Sequence, residues 1–135
     1  MFPDQDLQPS QILKTDESQL RQAGLSTRKA EYVKSVSEFF LENPLKRDNF
    51  ETMPDDEISN LLKQIRGIGQ WTADMFLIFT LNRPDIFPFS DLGIHKGIMK
   101  LYELNKLPSM SYMEKISNKW KPHRTIASLY LWKIA

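Results

Sequence analysis

The chain has 135 residues, of which 41% are hydrophobic and 26% charged, and its formal net charge is +1 at pH 7. A chain of this length is expected to form one domain, 1–135, with a core of its own. It contains no cysteine, which excludes disulfide bonds, thiolate metal sites and cysteine-ligated clusters. No signal peptide or spanning apolar run is visible, so we expect an intracellular protein without a membrane partner.

The charge is distributed unevenly along the chain. Residues 1–60 carry 7 Lys and Arg against 12 Asp and Glu, whereas residues 61–135 carry 11 against 5, so the balance changes from −5 to +6. A basic face on one half is what contact with nucleic-acid phosphates requires. For most lysines, a solvated helix face is the alternative. The basic residues of the last segment are Lys115, Lys119, Lys121, Arg124 and Lys133.

Helical patterns account for the chain, and no stretch predicts a strand. The polar residues up to about Pro9 are expected to be loose, residues 43–54 form a linker, and the apolar helix 70–81 is buried almost all round. The caps are Asp16, Ser26, Asp55 and either Ser90 or Asp91. With their capping residues, the helices are expected at about 9–14, 16–24, 26–42, 55–65, 70–81, 91–103, 109–120 and from a first turn at Pro122 to the C-terminus.

The central feature is a short turn between two apolar helical runs, Gly67-Ile68-Gly69. Two glycines around one apolar residue allow a tight turn with positive φ, and the first amides of the second helix are free donors that suit a phosphate oxygen. The pattern indicates a helix-hairpin-helix motif at about 57–81 that holds a nucleic-acid backbone, although most Gly-x-Gly pairs are simple helix ends. The residues expected to hold that backbone are Gly67, Ile68, Gly69, Gln70 and Thr72.

A second helix start follows about twenty residues later, in the stretch 87–94. Asp91 is there either an N-cap carboxylate or a carboxylate at the mouth of a groove beside the hairpin, and the local pattern allows both. Asp74, inside the apolar helix, and Asp85, in a turn, are the rival acids for a catalytic role.

Together these stretches resemble the helix-hairpin-helix DNA glycosylase superfamily, and more narrowly its alkylpurine branch, the 3-methyladenine DNA glycosylases. The resemblance covers nearly the whole chain from about Leu20, with its segments in the family order. The matching segments are Ala23–Tyr32, Gly67–Ala73, Asp91–Ile94 and Trp120–Arg124 continuing to Leu131-Trp132. The resemblance implies an all-α, multi-helix glycosylase domain with a helix-hairpin-helix DNA-binding motif.

The resemblance assigns the catalytic role to Asp91. Cleavage of an N-glycosidic bond in base excision repair develops positive charge on the sugar, and a fixed carboxylate stabilises that charge and activates water. Family members with an additional lyase activity carry a lysine two positions after the second hairpin glycine, where this chain has Trp71. The resemblance therefore implies a monofunctional DNA glycosylase acting on double-stranded DNA with alkylated bases such as 3-methyladenine.

The resemblance also predicts the base pocket. In the alkylpurine branch, tryptophans that match Trp71 and Trp132 line it, because stacking and cation–π attraction favour an electron-poor alkylated ring. A further pocket position, often aromatic in the family, is Met75 here. Trp120 is expected in the core, and Arg124 is expected to hold either a buried carbonyl or a phosphate. The resemblance implies no cofactor and no side-chain metal site. Family members bind a monovalent cation with the backbone carbonyls of the hairpin when DNA is bound, and the same site is predicted here.

Compared with the family, the chain begins too late to include the helix that wedges into the duplex. We therefore expect a fragment or a reduced protein with exposed apolar faces, above all on helix 70–81. Self-association or the missing N-terminal segment is expected to cover these faces. Two alternatives stay open: a non-catalytic DNA-binding remnant, and a helical interaction module that binds no DNA. A repair enzyme is expected in the cytoplasm or nucleoid of a prokaryote, or in the nucleus of a eukaryote.

Overall fold

The computed structural model of the protein describes residues 7–135. Within that range the chain forms α-helices and one π-helical segment and no strand, which confirms the predicted all-α class. The predicted loose N-terminus falls mainly on residues 1–6, which lie outside the described residues. The α-helices are α1 (Pro9–Lys14), α2 (Glu17–Gln22), α3 (Thr27–Glu42), α4 (Arg47–Glu51), α5 (Asp55–Leu62), α6 (Gln70–Met75), α7 (Leu92–Leu101), α8 (Met110–Asn118) and α9 (Arg124–Ile134).

Short polar side chains cap several of these helices where the sequence predicts it. Ser26 accepts a hydrogen bond from the amide of Lys29 at 3.2 Å, and the carboxylate of Asp91 accepts one from Ile94 at 2.9 Å. Each bond satisfies an amide that has no partner inside its own helix. Because these contacts span only three residues, the local pattern locates the starts of α3 and α7 correctly.

The segment predicted to be a linker, 43–54, contains the short helix α4. Phe50 on this helix is only 3% exposed and belongs to the core. The guanidinium of Arg83 donates to the backbone carbonyls of Phe50 and Met53 and to the Asp55 carboxylate. The linker prediction was therefore wrong. The segment is held in place by contacts with Arg83, which lies more than 25 residues further along the chain.

Two predicted helix starts differ from the structure by one or two residues. The N-cap of α5 is Pro54, so Asp55 is the first helical residue, and its carboxylate accepts from Arg83 at 3.1 Å instead of capping. Pro122 precedes the N-cap of α9, which is His123. In both places a contact from a distant segment, rather than a local side chain, fixes where the helix begins.

The predicted helix 70–81 is divided in two. α6 ends at Met75 and a π-helical segment continues from Phe76 to Thr80. The wider turn changes the faces that the side chains occupy. Leu77 and Ile78 are buried, but Phe79 is 59% exposed, so the prediction of burial almost all round was wrong for this residue.

Two groups of buried side chains form the core, and Trp132 packs against both. The first core cluster consists of Phe50, Ile58, Leu62, Ile65, Ala73, Leu77, Ile78 and Ile86. The second core cluster consists of Phe87, Ile94, Ile98, Met113, Ile116 and Leu131. The start of α7 lies where these clusters meet, and this places Asp91 beside residues of both halves of the chain.

Exposed apolar side chains lie on helix 70–81, where Trp71 and Phe79 are 50% and 59% exposed, and also on α9. Ile126 and Tyr130 are 55% and 67% exposed, and they border a groove of about 590 Å³. What covers this surface stays a prediction. None of the described helices is both long and apolar enough to span a membrane.

Candidate nucleic-acid interface and active site

The predicted hairpin is present between α5 and α6. Gly67 has φ of +92°, and Gly69 is the N-cap of α6 with extended backbone. The half-buried Ile68 packs against the first core cluster, which pins the turn as expected. No side chain among the described residues caps α6, so its first amides remain available to an external acceptor. The motif predicted at 57–81 therefore has the geometry of a helix-hairpin-helix.

The two hairpin glycines have different surroundings. A Cβ atom at Gly67 would overlap the ring of Tyr32, which packs directly behind the turn. A Cβ atom at Gly69 would meet nothing within 4 Å. Gly67 is thus required by the fold, whereas Gly69 leaves room for a ligand. Sequence analysis did not identify Tyr32, because no local signal links α3 to a turn 35 residues further on.

The side chain of the exposed Gln70 forms hydrogen bonds within the protein. Its carbonyl oxygen accepts from the Lys63 ammonium at 2.8 Å, and its amide nitrogen donates to the Asp74 carboxylate at 2.8 Å. The same nitrogen donates to the hydroxyl of Ser59 at 3.1 Å. The side chain of Gln70 is thus engaged with other side chains, and Thr72 in the same turn is half-buried. Their contacts with a DNA backbone stay a prediction.

Three donors hold the carboxylate of Asp91. The indole of Trp71 donates to Oδ2 at 2.6 Å, and the indole of Trp132 donates to Oδ1 at 2.7 Å. The amide of Ile94 also donates to Oδ1, so Asp91 is both the N-cap of α7 and the partner of two predicted pocket residues. The two interpretations of Asp91 that the sequence left open are therefore compatible.

These hydrogen bonds keep Asp91 ionised. Partial burial raises the pKa of its carboxyl. The hydrogen bonds from Trp71 and Trp132, together with the backbone at the start of α7, outweigh burial, and the net pKa lies below the usual value of an aspartate. Asp91 therefore presents a negative charge at neutral pH.

Trp132 is fixed by close packing on both sides. Its ring stacks on Phe79 with centroids 5.9 Å apart and an interplanar angle of 22°. On the α7 side, a Cβ atom at Gly93 would come within 2.8 Å of the Trp132 ring and 2.9 Å of Asp91 Oδ1. Phe79 is the aromatic neighbour that sequence analysis missed. Met75, predicted in the pocket, is half-buried against the first core cluster.

The rival acids are committed to other partners. Burial raises the pKa of Asp74, and the hydrogen bond from Gln70 and the charge of Lys63 only partly oppose this. Asp85 forms a two-pronged ion pair with Arg124 at 2.8 and 3.1 Å. Hydrogen bonds from Arg124 lower the pKa of Asp85, although burial opposes them. Arg124 thus binds a carboxylate, which corrects the prediction of a carbonyl or phosphate partner.

Basic side chains of the C-terminal segment lie at the surface. The lysines at 115, 119, 121 and 133 are all exposed, so they can contribute to a basic surface. Trp120 lies against the second core cluster, as expected. No group of three or more metal-ligating side chains occurs within residues 7–135. A monovalent cation at the hairpin carbonyls stays a prediction.

Residues 2–123 match the family model of the HhH-GPD superfamily base excision DNA repair proteins. The chain belongs to this superfamily. The membership confirms the resemblance that the hairpin and the stretch around Asp91 indicated.

Relatives of this HhH-GPD chain include DNA-3-methyladenine glycosylase 1 of Schizosaccharomyces pombe, 39% identical over 126 residues, which are 93% of this chain and 55% of the relative. A solved S. pombe 3-methyladenine DNA glycosylase in complex with abasic DNA has a TM-score of 0.91 at 37% identity, covering 98% of this chain and 65% of that one. A Bacillus halodurans DNA-3-methyladenine glycosidase has a TM-score of 0.82 at 36% identity, with coverage of 93% and 58%. The chain spans 44% and 55% of the length of two curated relatives, that is, about half.

Proposed function

We propose that this chain is a monofunctional DNA glycosylase that hydrolyses the N-glycosidic bond of alkylated purines, such as 3-methyladenine, in double-stranded DNA. The single observation that carries the proposal is the carboxylate of Asp91, held by the indoles of Trp71 and Trp132. The relatives named as 3-methyladenine DNA glycosylases support the choice of substrate class. A DNA substrate would place the protein with the genome, in the prokaryotic cytoplasm or the eukaryotic nucleus.

The proposed reaction starts when the damaged nucleotide leaves the base stack. The bond between C1′ and the base nitrogen breaks, and the base departs with the electron pair. Positive charge then develops on the sugar, and the Asp91 carboxylate stabilises it. Water adds to C1′ and passes a proton to Asp91. A purine alkylated at N3 or N7 is already cationic, so the site needs no strong acid to protonate the leaving group.

The side chains around Asp91 suit a cationic base. Trp71 is 50% exposed and offers a π face to a ring placed above the carboxylate. Phe79 covers one face of Trp132, so Trp132 contributes its edge and its other face. Met75 is the third lining residue that we propose. Trp71 has no amine to attack the sugar, which is why we propose hydrolysis without lyase chemistry.

We propose that the hairpin holds the DNA backbone next to this site. The uncapped amides at the start of α6 are donors for a phosphate oxygen, and contacts of this kind position the duplex without reading its sequence. Gly67, Ile68 and Gly69 shape the approach, and their carbonyls are the candidate ligands of a monovalent cation. The exposed lysines of the C-terminal segment add attraction to the phosphates.

The test is base release from alkylated duplex DNA, with three readouts. We expect free methylated purine, an intact strand that breaks only after alkali, and no protein–DNA adduct after borohydride. Adduct formation or spontaneous strand cleavage would indicate a lyase and contradict the monofunctional assignment. Unmodified duplex of the same sequence is the control substrate.

DNA binding at two salt concentrations separates the two alternatives. A glycosylase or a non-catalytic remnant binds duplex more weakly as salt rises, because phosphate contacts release counterions. An interaction module shows no salt-dependent binding. Salt-dependent binding without base release, from a chain with a cooperative melting transition, would favour the remnant.

Gly93→Ala tests whether the close packing beside Asp91 matters for activity. Alanine favours the helix by about 0.5–1 kcal/mol over glycine, so α7 itself should not weaken. The new methyl group has to displace the Trp132 ring or the Asp91 carboxylate. We expect base release to fall at least about tenfold, with DNA binding retained. Lys96→Ala, at an exposed position on α7, is the matched control, and equal activity of the two variants would refute this prediction.

A further inference from the structure

The two oxygens of the Asp91 carboxylate are held unequally. Oδ1 accepts two hydrogen bonds, from the Ile94 amide at 2.9 Å and from the Trp132 indole at 2.7 Å. Oδ2 accepts one side-chain hydrogen bond, from the Trp71 indole at 2.6 Å. Loss of one side chain therefore frees Oδ2, while Oδ1 keeps its backbone donor as long as α7 begins at Leu92.

The two indole donors also differ in how firmly they are held. Trp132 is half-buried, stacks on Phe79 and touches Gly93, and its helix is joined to the segment before α7 by the Asp85–Arg124 pair. Trp71 is 50% exposed and takes no part in the aromatic pairs among the described residues. It stands in the first turn of α6, on the hairpin expected to meet DNA. A bound duplex would therefore reach Trp71 and leave Trp132 in place.

We propose that Trp132 is a fixed positioning residue for Oδ1, and that Trp71 is an exchangeable donor that releases Oδ2 when a base enters the site. Oδ2 is then the oxygen that faces the sugar and receives the proton from water. This inference deepens the proposed function and rests on it. Trp71 then has two successive roles. Its indole N–H donates to the carboxylate in the free protein, and its ring stacks on the base in the complex.

The lowered pKa of Asp91 is not due to a charged neighbour. On α7 the titratable group closest in sequence is His95, whose Nε2 contacts the Phe89 carbonyl at 2.6 Å. On α6 the titratable group nearest in sequence to Trp71 is Asp74, which is hydrogen-bonded to Gln70. On α9 the titratable group next to Trp132 is Lys133, which is exposed. The indole and backbone donors outweigh burial in setting the carboxyl pKa, so removing one indole N–H raises that pKa.

The pH dependence of base release tests the inequality of the two donors. The acid limb of kcat/KM reports Asp91 in the free protein, and the acid limb of the single-turnover rate at saturating DNA reports it in the complex. For Trp132→Phe we expect both limbs at higher pH and a rate at saturating DNA that is at least about tenfold lower. For Trp71→Phe we expect only the kcat/KM limb to move. Trp120→Phe, which changes a tryptophan that makes no hydrogen bond to Asp91, should move neither limb.

A carboxyl ¹³C NMR titration of Asp91 in the DNA-free protein tests the two bonds independently of activity. Both Trp71→Phe and Trp132→Phe should raise the pKa of Asp91, and Trp120→Phe should leave it unchanged. If Trp132→Phe melts, 3-benzothienylalanine at position 132 keeps the bicyclic ring, lacks the N–H and gives the same test. An unchanged Asp91 pKa in either donor variant refutes the corresponding bond.

Indole ¹⁵N signals in the presence of duplex with an alkylated 2′-fluoro purine nucleotide, which keeps its base because the fluorine slows cleavage of the N-glycosidic bond, test the exchange. We expect the Trp71 N–H signal to move towards that of a free indole and the Trp132 signal to stay. Equal movement of both signals, or of both pH limbs in Trp71→Phe, would overturn the exchange. Absence of base release and of DNA binding would instead refute the proposed function and the exchange step with it, whereas the two bonds are decided by the titration alone.

Discussion

Asp91→Asn is expected to abolish base release, by about 10²- to 10⁴-fold, while DNA binding persists. Asparagine is as good an N-cap as aspartate, so its amide oxygen can still accept from Ile94 and start α7. The negative charge that stabilises the sugar is lost, and the new NH₂ group faces the indole N–H of Trp71. The measurement is the single-turnover rate on alkylated duplex, beside a binding isotherm and a thermal melt.

Asp74→Asn is the matched control for Asp91→Asn. It also removes a carboxylate, but one that is buried, bonded to Gln70 and shifted towards the neutral form. We expect its rate at saturating DNA to stay within a few-fold of the wild type. Retained turnover in Asp91→Asn, or complete loss in Asp74→Asn, would move the catalytic role away from Asp91.

Gly69→Ala is expected to weaken binding to every duplex alike, by about tenfold to a hundredfold. Its φ of −105° suits alanine, and a Cβ atom there meets nothing within 4 Å, so the fold should accept the change. In the complex, the methyl group would occupy the space through which a phosphate approaches the amides of α6. Isotherms on alkylated and unmodified duplexes measure the effect, and a loss confined to the alkylated duplex would contradict a backbone contact.

Gly67→Ala gives the contrasting result at the other end of the same turn. Here φ is +92° and the ring of Tyr32 fills the space that a Cβ atom needs. We expect the free energy of unfolding to fall by about 1–3 kcal/mol or more. A lower melting temperature for Gly67→Ala, together with an unchanged one for Gly69→Ala, would separate the structural glycine from the binding glycine. Equal melting temperatures would contradict the assignment.

Features that depend on neighbouring residues could be predicted from the amino-acid sequence. Ser26 and Asp91 cap their helices through contacts three residues away, and the Gly67–Gly69 turn follows from the lack of a Cβ atom. Such features need no knowledge of the rest of the chain, because one turn of backbone contains all the partners. The resemblance added the candidate roles of Asp91, Trp71 and Trp132.

The contacts that join the candidate residues form only in the folded chain. The two indole donors to Asp91 lie 20 and 41 residues away in sequence, and the Asp85–Arg124 pair spans 39. The burial of Phe50 and the contact between Phe79 and Trp132 likewise depend on segments that meet only in the folded chain. A periodic pattern records which residues are apolar or polar, but not which distant side chain completes a hydrogen bond. For that reason the sequence could nominate Asp91, Trp71 and Trp132 as candidates, whereas the hydrogen bonds that join them could not be predicted.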